Sequence, residues 1–169
     1  MEAMDAILGR RSIRKYSEEP VTDGQVKRLL EAAMAAPSAH NRQSWHFIVV
    51  RDKAKLLEIP KFHSYSKMLE QAALAIIVCG DLELEGGTGF WVQDCSAATQ
   101  NILLAAKATG LGAVWLGVYP NENLVKGVRD LLRIPEKIVP LCIISVGHPL
   151  EEKPPGNHYR DDRVHLNGW

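Results

Sequence analysis

The chain predicts a layered sandwich of the α/β or α+β class, in two or three layers, and three observations predict it. Four apolar runs, Phe47–Val50, Leu74–Cys79, Ala113–Val118 and Leu141–Val146, have the length and branching of buried strands. The segments between them carry apolar residues at helical spacing. The 169 residues are 46% hydrophobic and 24% charged, enough for a single domain over residues 1–169 with a core of its own. Elements that alternate in this way bury their apolar faces by laying helices on a sheet.

In order, Ala3–Leu8 predicts a short helix through Met4, Ile7 and Leu8, with Gly9 suited to end it. Thr22 and Gln25 form a capping-box pair ahead of Val26, Leu29, Leu30, Ala33 and Met34, and Pro37 stops that helix near Ala36. Phe47–Val50 is a strand buried on both faces, and Asp52 caps a helix from Lys53 to Ile59. Met68–Ala73 reads as a helix leading into the strand Leu74–Cys79. After the loop Gly86–Gly89 comes a long helix, Phe90 to Thr109, closed by Gly110. Its small residues, Cys95 to Ala98 and Ala105, Ala106 and Ala108, permit close helix approach, at the centre of the molecule or of a dimer interface. Asn121 caps a helix through Leu124, Val125, Val128, Leu131 and Leu132 before the last strand. The polar stretch from Glu151 to Trp169 is a tail whose terminal aromatic suits it to lie across another surface.

The formal net charge of zero argues against a nucleic-acid partner. No apolar run is long enough to span a membrane, and the acidic start Met1–Asp5 lacks the layout of a signal peptide. Cys79, Cys95 and Cys142 are odd in number and set among apolar residues, so they read as buried thiols of a reducing compartment, hence cytoplasmic. There is no Cys-x-x-Cys, no His-Glu-x-x-His, no Gly-x-Ser-x-Gly and no P-loop lysine, which disfavours zinc, hydrolase and nucleotide-triphosphate chemistry.

Against that neutral background Arg10-Arg11-Ser12-Ile13-Arg14-Lys15-Tyr16 concentrates four cations and a hydroxyl. Arg forks and a Ser hydroxyl are the donors that a phosphate monoester needs, although the same residues also suit a solvated surface run. A second cluster, Pro37-Ser38-Ala39-His40-Asn41-Arg42-Gln43-Ser44-Trp45, supplies neutral two-way hydrogen-bonding groups on a loop, suited to polyol hydroxyls and a heterocycle rim or simply to turn-making.

Taken in order, Arg10-Arg11-Ser12-x-Arg14-x-Tyr16, Pro37-Ser38-x-x-Asn41-x-Gln43-x-Trp45-x-Phe47, Lys67-Met68-Leu69, Gln100-Asn101, Gly110-Leu-Gly112 with Trp115-Leu116-Gly117, Gly147-His148-Pro149 and Arg160-Asp-Asp-Arg163-Val164-His165 resemble the motifs of the flavin-dependent nitroreductase family over nearly the whole chain. The resemblance implies an α+β three-layer sandwich with a central, mostly antiparallel sheet, and an obligate homodimer whose tail, residues 150–169, embraces the partner. It implies FMN at shared sites, with NADH or NADPH as co-substrate. Arg10 and Ser12, with Arg11 and with Arg163 from the tail, would hold the phosphate, and Arg160 belongs to the same cofactor-binding set. Arg14 and Lys67 would face the pyrimidine edge of the ring, where positive charge favours the reduced anion. Pro37, Ser38, Asn41 and Gln43 would come from the partner subunit, and the backbone at Leu116 and Gly117 would lie by the reactive nitrogen. By itself Gly117 also suits a strand-end glycine needed for packing. No side chain is expected to act as acid, base or nucleophile, because the flavin carries the chemistry.

Two positions depart from the family pattern: Ser44 stands where proline is common, and Ser64 falls near where longer members place an asparagine beside the ring. The expected reaction is ping-pong hydride transfer from NAD(P)H to a small electron-poor acceptor such as a nitroaromatic or quinone. A non-catalytic flavin carrier or redox sensor, or a specialised relative such as a reductive dehalogenase, are the alternatives.

Overall fold

The computed structural model describes residues 1–169 and builds them around one four-stranded sheet: β1 (Trp45–Val50), β2 (Leu74–Asp81), β3 (Gly112–Gly117) and β4 (Ile138–Gly147). The spatial order is β1-β2-β4-β3 and every neighbouring pair is antiparallel. All residues of β2 are buried, so its side chains alternate between two cores. Leu74, Ile76 and Val78 face α2 (Asp23–Met34) and α5 (Trp91–Ala108). Ala75, Ile77 and Cys79 face α3 (Lys53–Phe62) and α6 (Glu122–Leu132). Truncating a residue such as Ile77 to Ala costs about 2–5 kcal/mol. The result is the three-layer α+β sandwich, with α1 (Ala3–Gly9) outside the layers near the C-terminal end of α5, where Gly9 lies against Lys107.

The caps are those the sequence predicts. Thr22 and Gln25 bond reciprocally at the start of α2, Asp52 accepts the Ala54 N–H, and Asn121 accepts those of Asn123 and Leu124. The thiols of Cys79, Cys95 and Cys142 are free and fully buried, and burial pushes those of Cys79 and Cys142 up to about 12, so they stay protonated and unreactive.

Several elements differ from the sequence reading. β1 is not buried on both faces: it is an edge strand, and Phe47, Ile48 and Val49 remain half-exposed. α3 continues through Pro60 to Phe62, closed by the His63 N–H on the Ile59 carbonyl. The helix expected over Met68–Ala73 is one 3₁₀ turn, Lys67–Glu70. Leu69 is fully buried there, and the Ala73 N–H already bonds the Val146 carbonyl of β4, so the chain straightens into the sheet. A further turn, α4 (Leu82–Glu85), is capped by Asp81, whose carboxylate accepts the Glu83 and Leu84 N–H groups. No helix is long and apolar enough to cross a membrane. Beyond Glu151 the tail has only the 3₁₀ turn Asp161–Arg163, and Tyr159, Leu166 and Trp169 project from it into solvent.

Candidate functional site

After α1 the chain turns extended at Arg10 and runs beside the free edge of β3. Ser12 pairs with Ala113 in a parallel bridge, the Ile13 N–H donates to the Ala113 carbonyl at 3.1 Å, and Tyr16 pairs with Pro149. Two inward side chains anchor the segment. Ile13 lies so close to Gly112 that a Cβ there would come within 2.7 Å of it, and the Tyr16 ring would come within 2.8 Å of a Cβ on Gly147. The buried Tyr16 hydroxyl donates to the Ile13 carbonyl at 2.6 Å and accepts from the Ser145 hydroxyl at 3.0 Å, and burial raises its pKa.

An extended chain sends alternate residues to opposite sides. With Ile13 turned inward, Arg10, Ser12 and Arg14 share the other side, and all three line a cavity of about 790 Å³. Neither the Arg10 nor the Arg14 guanidinium pairs with a carboxylate. Arg11 also borders the cavity, but its guanidinium is engaged with backbone carbonyls of Pro154, Leu8 and Arg10, and only its buried Nη2 has no partner. The opposite wall is the tail, from Lys153 and Pro155 to Tyr159. Lys153 donates to the Ser12 carbonyl at 2.6 Å, and Glu151 accepts the Arg14 N–H at 2.6 Å. That N–H, followed by Lys153, holds the Glu151 carboxyl below the usual carboxylate range. Arg160 and Arg163 lie further along the tail, exposed and outside the cavity lining.

A second group lies at the other end of β3. Because the backbone groups of Ala113 face the Arg10–Tyr16 segment, those of Trp115 and Gly117 face the same open edge, whereas Leu116 turns its own toward β4. Gly117 is exposed, and a Cβ added to it would meet nothing within 4 Å. Packing within the chain therefore does not require this glycine, and the space beside it is open to a ligand. The Gly117 carbonyl accepts from His63 Nε2 at 2.8 Å. Lys67 opens the 3₁₀ turn four residues on, exposed and without a carboxylate partner.

Pro37, Ser38, Asn41 and Gln43 are elsewhere. Their loop is pinned to the start of α5 by Asp94, which accepts the Ala39 N–H at 3.0 Å. Arg42 reaches across to the Glu85 carbonyl at 2.7 Å, and the Ser38 hydroxyl accepts the Gln43 N–H at 3.0 Å. His40, Asn41 and Gln43 all have positive φ (53°, 53° and 50°), a costly conformation for residues with a Cβ. From Asp94 to Lys107, where a Cβ on Gly9 would lie 3.5 Å from the lysine side chain, α5 rises about 20 Å at ~1.5 Å per residue. One chain thus holds the two clusters at opposite ends of a helix and does not bring them together.

Sequence reasoning missed His63 and Lys153. A lone histidine after a helix reads as an ordinary core residue, and Lys153 sits in a stretch read only as polar tail. The one available signal was proximity to Lys67 for His63.

Unpaired guanidiniums at Arg10 and Arg14 and the Ser12 hydroxyl make an anion-binding donor set, with Lys153 beside them tied to the Ser12 carbonyl and the Glu151 carboxylate, and the open edge at Gly117 offers a flat group room to approach. These residues fit a phosphorylated flavin. A sequence model of the nitroreductase family matches residues 7–76 and 61–148. A relative from Methanothermobacter thermautotrophicus, provisionally named NADH dehydrogenase/NAD(P)H nitroreductase, is 50% identical over 169 residues, covering 100% of this chain and 88% of its own. The chain is similar in structure to an FMN-dependent nitroreductase from Clostridium difficile, with a TM-score of 0.91 at 34% identity, covering 98% of this chain and 99% of that one. It is also similar to the NADPH:FMN oxidoreductase of Vibrio harveyi complexed with NAD⁺, with a TM-score of 0.88 at 28% identity, covering 99% of this chain and 77% of that one. With its family motifs spread from Arg10 to His148 on a matching fold, the chain belongs to the nitroreductase family.

Proposed function

We propose that the protein binds FMN and uses NADH or NADPH to reduce electron-poor acceptors such as nitroaromatics or quinones. The observation that carries this is the placement of Arg10, Ser12 and Arg14 on one side of an extended segment, lining a cavity of about 790 Å³ with both guanidiniums unpaired. The FMN and NAD(P)H in the names of its relatives support the same reading.

Bound there, FMN would supply two-electron hydride chemistry. Arg10 and Ser12 hold the phosphate, and Arg11, its guanidinium spent on the carbonyls of Pro154, Leu8 and Arg10, braces the segment that carries them. Arg14 and Lys67 set positive charge where the ring gains negative charge, which favours reduction. The Gly117 N–H is the backbone donor at the open edge of β3, and buried Leu116 holds that strand in the sheet. Pro37, Ser38, Asn41 and Gln43 complete the site of a second copy, because about 20 Å of helix keeps them from their own chain's Arg10. Exposed Met4, Ile7 and Leu8 on α1, together with Leu166 and Trp169 on the tail, are apolar surface that such a homodimer would cover, and the tail would bring Arg160 and Arg163 to the phosphate. Reductant and acceptor would use one open face in turn, giving ping-pong kinetics.

The test is direct. Protein loaded with FMN is yellow, NADH or NADPH added without oxygen bleaches it, and a nitroaromatic restores the colour. A yellow protein that neither nicotinamide bleaches would be a carrier or sensor, and the reductase reading would fall. A protein that ignores added FMN would overturn the whole proposal.

A further inference from the structure

We propose that His63 is a positioning residue for the proposed flavin site: it caps the carbonyl of Gly117, so that the open end of β3 presents only a donor to the bound ring. This inference rests on the FMN reading above.

The geometry has three parts. The first is the rigid seat of His63. The residue is 3% exposed; its backbone N–H donates to the Ile59 carbonyl at 3.0 Å, and its own carbonyl accepts both the Ser66 N–H at 3.0 Å and the Ser66 hydroxyl at 2.7 Å. The end of α3 and the turn into Lys67–Glu70 are therefore locked around this one residue. The second is the bond from Nε2 to the Gly117 carbonyl at 2.8 Å. A carbonyl only accepts, so Nε2 carries the hydrogen and Nδ1 is left as a lone pair. Nδ1 is buried and has no partner, an arrangement that core packing alone would not select, since an apolar side chain would fill the same place at no polar cost.

The third part is where the bonded carbonyl points. Within an extended strand the N–H and C=O of one residue lie toward the same edge, so the Gly117 carbonyl faces the side its N–H faces. That edge holds no other strand, and the space where a Gly117 side chain would stand is empty. The same peptide unit is fixed from its other side, with the Val118 N–H on the Leu141 carbonyl at 3.1 Å. A bare carbonyl at this point would set a negative partial charge beside a ring that becomes electron-rich on reduction. With His63 bonded to it, the charge is offset, and the free group at the edge is the Gly117 N–H. His63 touches neither phosphate nor ring in this scheme; it acts through Gly117.

Two variants separate positioning from packing. His63→Gln keeps an N–H that can reach the carbonyl, and His63→Phe keeps the ring volume without a donor. Both are compared as FMN-loaded protein. His63→Phe is expected to retain FMN, to shift the visible absorption bands of the bound flavin, and to lower kcat roughly 3- to 10-fold with little change in KM for the acceptor, as losing one hydrogen bond implies. His63→Gln is expected to recover most of the loss. Wild-type bands and kcat in His63→Phe would overturn the proposal, as would equal losses in both variants with unshifted bands. If His63→Phe does not fold, ¹⁵N spectra of the wild-type histidines decide: an Nε2–H tautomer for His63, with the Gly117 amide shifting on FMN addition, supports the assignment, and an Nδ1–H tautomer or an unmoved Gly117 amide overturns it. If the wild type takes up no FMN at all, the function proposed above fails, an outcome distinct from each of these.

Discussion

The segment Arg10–Tyr16 and the loop Ser38–Gln43 both crowd polar side chains into a few residues, yet they are held in opposite ways. The first is relaxed: it lies against β3 and the start of the tail through backbone bonds, with Ile13 and Tyr16 seated over Gly112 and Gly147. The second has three residues at positive φ and depends on side chains, Asp94 below and Arg42 across. In the proposed site, the relaxed segment beside its cavity is the half that one chain organises alone. In the proposed homodimer, the strained loop, with Asn41 and Gln43 exposed, is the half that serves another copy.

The contrast can be broken from either side. The largest effect is expected from Arg10→Ala, which removes a charge-assisted phosphate contact and should weaken FMN binding roughly 10- to 150-fold, measured by quenching of flavin fluorescence. An unchanged Kd would remove the phosphate role from this segment. Next, Gly147→Ala drives a methyl group into the Tyr16 ring and should cost about 1–3 kcal/mol in denaturant unfolding. Gly117→Ala, with open space around it, should leave stability within about 0.5 kcal/mol and act instead on the bound flavin. If both glycines behave alike, the distinction between a seat and an open edge is lost.

Asp94→Ala frees the Ala39 N–H and should cost about 1 kcal/mol at the loop, with FMN binding weakened about 5-fold although Arg10 lies at the far end of α5. Unaltered FMN affinity would show that the loop serves no flavin site. The smallest effect concerns acid. The Thr88 hydroxyl, then the Gly87 and Phe90 N–H groups, hold the Glu85 carboxyl below its ordinary 4.5 against the opposing influence of burial. A lowered folded value means that this stabilisation is complete above the ordinary value and is lost as pH falls through the folded one. Proteolysis at Gly86–Gly89, the loop next to the Arg42 clamp, should therefore rise in acid, and Glu85→Gln should flatten that rise.

Much of the fold was legible because its signals are local. The Thr22–Gln25 box, the Asp52 and Asn121 caps and the apolar run in β2 depend on neighbours a few residues away. The misreadings arose where distant partners decide. Phe47–Val49 look like a central strand until β1 takes an edge position, and Met68–Ala73 look helical until Ala73 bonds β4. Around the proposed site, Arg10, Ser12 and Arg14 stood out in the sequence as part of a basic cluster and through the resemblance to a family. The role of Arg11 as a brace for backbone carbonyls was not, because Pro154 is its partner from the other end of the chain. His63 was invisible for the same reason, since what it bonds is a carbonyl 54 residues away.

One consequence follows from the length of α5. If each proposed site draws Arg10 from one copy and Ser38 from the other, a dimer has two sites but each chain contributes only half of either. A chain damaged at Arg10 and a chain damaged at Asp94, at an FMN concentration that fills the wild type but leaves either variant's own dimers largely empty, would then form a mixed pair in which both lesions fall in one site and the other is assembled from intact halves. Two defective preparations, unfolded and refolded together, would regain activity that neither has separately, a complementation test that no single-chain site could pass.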